Sequence, residues 1–202
     1  MTKIKLCGLT GEKDIEVANE LLPEFVGFVF AEKSRRKISP DHAAELKKIL
    51  NPKILSVGVF VNEKIETVAE ISRCGIIDAI QLHGAEDENY ISKLRTLTDK
   101  KIIRAFQIKS GDDLKLAEKF PTDFVLLDGG AGEGKSFDRT LLKNFRREFF
   151  LAGGLNPENV AGEIEKFKPF AVDVSSGIET NVIKDEKKMR DFVNAVRGEN
   201  FL

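Results

Sequence analysis

The sequence predicts an α/β chain folded as a (β/α)8 TIM barrel, a single domain spanning residues 1–202. Three observations predict it. Eight short apolar runs recur along the chain, and a polar stretch with helical character separates each from the next. The residues able to do chemistry gather at the C-terminal ends of the runs. Strands alternating with helices imply parallel pairing, because parallel neighbours need a crossover connection. Eight such units close a barrel, and enzymes of that fold carry their chemistry at the C-terminal rim.

Taken in order, the first run is IKLCG (4–8), with Cys7 at its end. The second, FVGFVF (25–30), leads into the basic stretch KSRRKIS (33–39). Ser39-Pro40-Asp41 then reads as an N-cap, a proline at the first helical position and an acid in the first turn, ahead of DHAAELKKIL (41–50). ILSVGVFV (54–61), AIQLHG (79–84) and IIRAFQI (102–108) are the third to fifth runs. FVLLDG (124–129) is the sixth and opens a glycine-rich stretch, GGAGEG (129–134). FFLAGG (149–154) is the seventh; Asn156-Pro157-Glu158 repeats the capping logic before NVAGEIEKF (159–167). AVDVSSG (171–177) is the eighth. A last helix, roughly 185–197, places Met189, Phe192, Val193 and Val196 at i, i+3, i+4 and i+7. Fifteen Phe and no Trp predict a Phe-rich core between barrel and helices.

Composition narrows the function. The chain is short for this fold but long enough for one full core. Thirty-two basic against 33 acidic residues leave a net charge of -1, which argues against a nucleic-acid binder held by bulk charge. No apolar run reaches membrane-spanning length and no signal-peptide core opens the chain, so the expectation is cytoplasmic, with no membrane partner. Cys7 and Cys74 lie in different units and make neither a disulfide framework nor a metal pair; two histidines make no metal site visible. Cys74, at a helix end, reads as packing, and His42, on the second helix, as exposed.

Strand alternation says which side chains enter the barrel. Lys5 and Cys7 share a face, as do Gln81 and His83, Leu126 and Asp128, and Asp173 and Ser175. If the aliphatic faces pack on the helices, these point inward. The first and last strands are neighbours in a closed barrel, so Lys5 and Asp173 are expected to neutralise each other there.

Cys7 at the rim reads as a general base or nucleophile, or as a small buried hydrophobe. A nearby Lys5 is expected to favour its thiolate and lower its pKa. Asp128 is a rim catalyst or an ordinary loop cap, and the glycine-rich stretch after it reads as a loop that folds over a ligand or as a plain connection. LAGGLNPENV (151–160) and VDVSSGIE (172–179) together read as a phosphate cradle, since glycine turns and helix N-termini present N–H groups to anions. Loops seven and eight are the usual phosphate position in this fold. Arg35 and Arg36 suit a carboxylate, or form a solvated loop. His83 is an acid/base group, a substrate contact or a rim residue.

In order and spacing, KIKLCGLT (3–10), GFVFAEKSRRKISP (27–40), VGVFVNE (57–63), AIQLHG (79–84), LLDGGAGEGKSFD (126–138), LAGGLNPENV (151–160) and FAVDVSSGIE (170–179) resemble the phosphoribosylanthranilate isomerases of tryptophan biosynthesis over essentially the whole chain. The resemblance implies an Amadori rearrangement of N-(5-phosphoribosyl)anthranilate to 1-(2-carboxyphenylamino)-1-deoxyribulose 5-phosphate. It implies Cys7 as general base and Asp128 as general acid, and Arg36 on the anthranilate carboxylate. It places Gly154, Ser176 and Gly177 on the phosphate, and His83 and Asp173 within the substrate-binding set. It implies no cofactor and no metal, because the substrate supplies the imine nitrogen; the expected partner is a small phosphorylated substrate, with a homodimer left open.

The family's sixth loop usually reads Gly-Gly-Thr/Ser-Gly before Phe-Asp and then Trp. Here Ala131 and Glu133 stand in that loop and Arg139 replaces the Trp. Indoleglycerol-phosphate synthase chemistry needs a catalytic lysine set and usually an N-terminal extension. Epimerase-like chemistry needs metal-ligating histidines, and the corresponding histidine-pathway isomerase is expected to use two carboxylates. A non-catalytic phosphate-binding barrel is the reading from another class, and retention of both Cys7 and Asp128 argues against it.

Overall fold

A computed structural model describes residues 1–129, 142 and 145–198. Eight parallel strands close on themselves in sequence order: β1 (Lys3–Cys7), β2 (Phe25–Val29), β3 (Leu55–Phe60), β4 (Ala79–Leu82), β5 (Lys101–Gln107), β6 (Phe124–Asp128), β7 (Phe149–Ala152) and β8 (Ala171–Val174). The seam between β8 and β1 sets Lys5 opposite Asp173. Around the barrel run α1 (Glu12–Leu21), α2 (Pro40–Ile49), α3 (Ile65–Arg73), α4 (Glu88–Arg95), α5 (Gly111–Lys119), α6 (Val160–Phe167) and α7 (Glu186–Arg197). A short antiparallel hairpin, β9 (Glu179–Thr180) and β10 (Ile183–Lys184), sits between β8 and α7. The glycine-rich stretch from 130 onward, with Ala131, Glu133 and Arg139, lies outside the described residues. No helix among the described residues is long and apolar enough to cross a membrane.

The first predicted cap forms. Ser39 accepts the backbone N–H of His42 at 3.1 Å, with Pro40 opening α2. The second capping site differs from expectation. Asn156 caps a single turn ahead of the regular helix, accepting the Asn159 N–H at 2.9 Å while Asn159 returns the same bond to the Asn156 N–H. Regular α6 starts only at Val160.

Alternation sorts the core as expected. Ile4, Leu6, Val172 and Val174 face the helices in one large cluster that reaches Met189, Phe192 and Val193 of α7. The phenylalanines divide differently from the sequence expectation. Phe28, Phe60 and Phe192 do lie between barrel and helices. Phe25, Phe124, Phe150 and Phe170 instead fill the barrel interior at the N-terminal end of the strands. There Phe25 and Phe150 stand 5.4 Å apart and Phe124 and Phe170 4.9 Å, centroid to centroid. Phe25, Phe124 and Phe150 occupy inward positions of their strands and Phe170 immediately precedes β8, so that flat rings fill the tapering centre of the barrel. With the bottom closed by aromatic rings, the inward positions nearer the C-terminal ends are left for polar groups.

Candidate active site

The polar layer begins at Lys5, whose side chain is fully buried. Its Nζ donates to Asp173 Oδ2 at 2.8 Å. Burial opposes the ammonium, but Asp173, with a smaller contribution from Cys7, outweighs it and raises the Lys5 pKa. The same burial pushes the Asp173 carboxyl up, against the pull of Lys5. The ionic form is the one the contact supports, because an ammonium at zero exposure without a counter-charge would be far more costly.

Cys7 lies one inward position above Lys5, also buried. Burial raises its pKa, and Lys5 only partly offsets that. This corrects the expectation of a lowered value. The charge of Lys5 is already matched by Asp173, which acts on the thiol in the opposite sense.

Across the barrel, Asp128 ends β6 with its side chain 27% exposed. His83, past the end of β4, brings Nε2 to 3.8 Å from Asp128 Oδ2, close but beyond hydrogen-bond range. The Gln81 amide meets His83 Nδ1 at 3.2 Å. With Gln81 donating, Nδ1 accepts and the ring proton sits on Nε2, toward Asp128. Burial lowers the His83 pKa and favours the neutral ring.

Cys7, Asp128, His83 and Asp173 all line one cavity of about 450 Å³. Two further walls complete it. On one side stands Arg36, from the loop after β2. On the other, Gly153 (φ 91°) and Gly154 (φ 67°) turn the chain after β7 beside Ser175 and Ser176 after β8. These two loops touch: a Cβ on Gly177 would collide with the Leu155 carbonyl oxygen. Asn159 Nδ2 donates to the Gly154 carbonyl at 2.8 Å and ties that turn to the start of α6.

The structure therefore brings together Cys7, Asp128, Arg36, His83, Gly154, Asp173 and Ser176 around one cavity, with Gly177 beside it at the contact of loops seven and eight. It does not bring in Arg35, which points to Glu179 and is half exposed. His42 is exposed as expected, with Nε2 2.8 Å from the Thr10 carbonyl. Cys74, read as packing, is exposed at the C-terminal cap of α3. Two buried groups beside the site have no assignment from sequence: Glu179 and Lys184, on the hairpin. Glu179 ends the same Ser-Ser-Gly-Ile-Glu string that carries the phosphate turn, and that adjacency is the one sequence signal pointing to it.

The chain is similar to known proteins over nearly its whole length. The family model described as N-(5'phosphoribosyl)anthranilate (PRA) isomerase matches residues 4–195. The N-(5'-phosphoribosyl)anthranilate isomerase of Acetivibrio thermocellus is 46% identical, with 98% of this chain and 96% of that one covered. The crystal structure of phosphoribosyl anthranilate isomerase from Thermotoga maritima superposes with a TM-score of 0.89 at 36% identity, covering 98% of this chain and 100% of that one. A second structure of such an isomerase holds reduced 1-(o-carboxyphenylamino)-1-deoxyribulose 5-phosphate; it matches with a TM-score of 0.88 at 35% identity, covering 98% and 100%.

Proposed function

The chain belongs to the N-(5'-phosphoribosyl)anthranilate isomerase family, and from that premise we propose that Cys7 is the general base and Asp128 the general acid of the reaction. The protein is an isomerase: it converts N-(5-phosphoribosyl)anthranilate to 1-(2-carboxyphenylamino)-1-deoxyribulose 5-phosphate, a step of tryptophan biosynthesis. The observation that carries the residue assignment is that a thiol from β1 and a carboxyl from β6, three strands apart around the barrel, line the same cavity.

Asp128 gives its proton to the furanose ring oxygen as the C1–O bond breaks. The nitrogen lone pair forms the C1=N bond of a protonated imine. The Cys7 thiolate then takes the proton from C2, and the C–H electrons form C1=C2 while nitrogen becomes neutral. The resulting enolamine loses its hydroxyl proton at C2, gains one at C1 and is the ketone. Burial keeps Cys7 a thiol in the free enzyme. The protonated imine supplies the missing positive charge beside it, so ring opening precedes and promotes loss of the Cys7 proton to solvent, from which the Asp128 carboxylate regains the proton it gave.

Arg36 receives the aryl carboxylate, for which a guanidinium fork is suited. Gly154, Ser176 and Gly177 receive the phosphate on the opposite wall. His83 and Asp173 contact the sugar between them. A phosphorylated small molecule anchored at both ends holds C1 and C2 between acid and base. A cytoplasmic setting suits this chemistry, with a free thiol as base.

Turnover of freshly generated phosphoribosylanthranilate, followed by loss of anthranilate-type fluorescence, tests the assignment. Cys7→Ala and Asp128→Asn are each expected to lower kcat by about 10²-fold to 10⁴-fold, the range for loss of a general acid or base. Either variant turning over at the parental rate removes that residue from its role.

A further inference from the structure

The hairpin after β8 holds a charged cluster that the reaction steps above leave unused. Glu179 and Lys184 are paired across its two strands. Their side chains are 4% and 3% exposed. Glu179 Oε1 accepts from Arg36 Nε at 2.5 Å and from Lys184 Nζ at 2.7 Å. Glu179 Oε2 accepts from Arg36 Nη2 at 2.9 Å and from Arg35 Nη2 at 3.3 Å. Lys184 Nζ also donates to the Ser175 carbonyl at 2.9 Å, and the Ser175 hydroxyl donates to the Cys7 carbonyl at 3.1 Å.

One carboxylate thus joins three parts of the site: the arginine on one wall, the turn on the other, and the strand end that carries Cys7. Three cations on one carboxylate leave two positive charges in excess, beside a cavity that takes a substrate with two anionic groups. Burial alone would raise the Glu179 pKa, but Arg36 and Lys184 bring it down to about 2, so the carboxylate is ionised throughout the working range. The grip on Arg36 is side-on. It uses Nε and Nη2 and leaves the Nη1–Nη2 edge of the fork for a second, coplanar carboxylate. Only Arg36 of the three cations lines the cavity.

We propose that Glu179 is a positioning residue for substrate recognition: it holds the inner edge of Arg36 so that the outer edge of the guanidinium is set to receive the aryl carboxylate of the substrate. This rests on the reading of Arg36 as the carboxylate contact. A carboxylate that served only to neutralise a basic loop would not need to grip the one arginine that faces the cavity.

The test compares two substrates in the full-length enzyme: phosphoribosylanthranilate and the corresponding adduct of aniline with ribose 5-phosphate, which lacks the carboxylate. The parent enzyme is expected to prefer the first. Glu179→Gln is expected to raise KM for phosphoribosylanthranilate about tenfold with kcat little changed, and to leave the aniline adduct as it was, the pattern of lost uniform binding. Glu179→Asp keeps the charge, and with it the fold, but withdraws the carboxylate from Arg36 by one methylene; it is expected to show the same selective loss should the Gln variant fail to fold. An equal loss on both substrates would mean that Glu179 only supports the fold, and parental preference in both variants would mean that it does not act on Arg36; either overturns the proposal and leaves the role of Arg36 intact. A parent enzyme that does not distinguish the two substrates overturns the role of Arg36 itself, and the proposal with it.

Discussion

Lys5 and Asp173 form an ion pair 2.8 Å long across the seam where the first and last strands of the barrel meet. The pair sits between the aromatic plug and the cavity, which Asp173 itself helps to line. Removing one partner leaves the other charge buried and uncompensated, whereas removing both leaves an apolar centre. Lys5→Met is therefore expected to cost about 3–5 kcal/mol in unfolding free energy, and Lys5→Met with Asp173→Leu to recover most of that. Urea unfolding of the two variants decides it; a single variant within about 1 kcal/mol of the parent would mean the pair is not ionised in the fold.

Cys7 titrates above the ordinary thiol range because burial outweighs Lys5. A raised folded value means that the folded protein binds this proton more tightly than the unfolded chain. Stability from Cys7 is thus unaffected at low pH and falls as pH rises past the unfolded thiol value of 9.0. For the free enzyme, kcat/KM is expected to climb with pH well into the alkaline range. Iodoacetamide modification, in a Cys74→Ala background because Cys74 is exposed, is expected to follow the same limb. A plateau already reached below about pH 8 would contradict the raised value.

Glu179 gives the opposite sign. Its folded value of about 2 lies below the unfolded value of 4.5, so its contribution is complete above pH 4.5 and is lost as pH falls toward 2. The side chain is buried, and a shift of this size corresponds to about 3 kcal/mol. Glu179→Gln is expected to flatten the acid limb of the stability curve over that window. Denaturant midpoints measured from pH 2 to 6 in parent and variant would show parallel curves if Glu179 contributed nothing.

Gly177 fixes the distance between the two loops of the proposed phosphate wall, because its missing Cβ leaves room for the Leu155 carbonyl oxygen. Gly177→Ala forces those loops apart. The expected result is a KM increase of tenfold or more, on the order of 1.4 kcal/mol of binding, together with weaker competition by inorganic phosphate. Unchanged phosphate inhibition would mean that the anion is held elsewhere.

The barrel and the inward faces of its strands can be read from alternation, whereas the roles of the rim residues come with the family resemblance. Lys5, Cys7, Gln81, Asp128 and Asp173 interrupt aliphatic strands at inward positions, and a period of two leaves one assignment for each. What cannot be read that way depends on distance in three dimensions. The partners of Glu179 lie at Arg35, Arg36 and Lys184, two of them more than 140 positions away in the chain. No local period records such a meeting. The Cys7 shift is missed for a related reason: a lysine two residues away suggests activation, but that charge is matched by the Asp173 partner already expected from the sequence, and the burial of the thiol, which decides the sign, is not a local pattern. The division of the phenylalanines depends likewise on the taper of the barrel, which individual strand patterns do not encode.

The hairpin that carries Glu179 and Lys184 turns through Asn181 and Val182, both left-handed, with φ of 50° and 64°. Two such residues between antiparallel strands make the mirror-image turn that suits strand twist and favours Asn-Gly. Asn181 fits the first place. Val182 does not, because a β-branched residue in that region costs about 1–2 kcal/mol. Its side chain is 57% exposed, so little packing offsets the strain. Val182→Gly relieves it at some cost in unfolded-chain entropy, and Val182→Asn relieves most of it without that cost. Both variants are expected to raise Tm by about 2–4 °C, the shift for roughly 1 kcal/mol in a chain of this size. The gain should be larger for Asn than for Gly if unfolded-chain entropy opposes it. A fall in Tm for both would mean that the valine makes contacts worth more than its backbone strain, and that the tip of the hairpin is held from outside the turn.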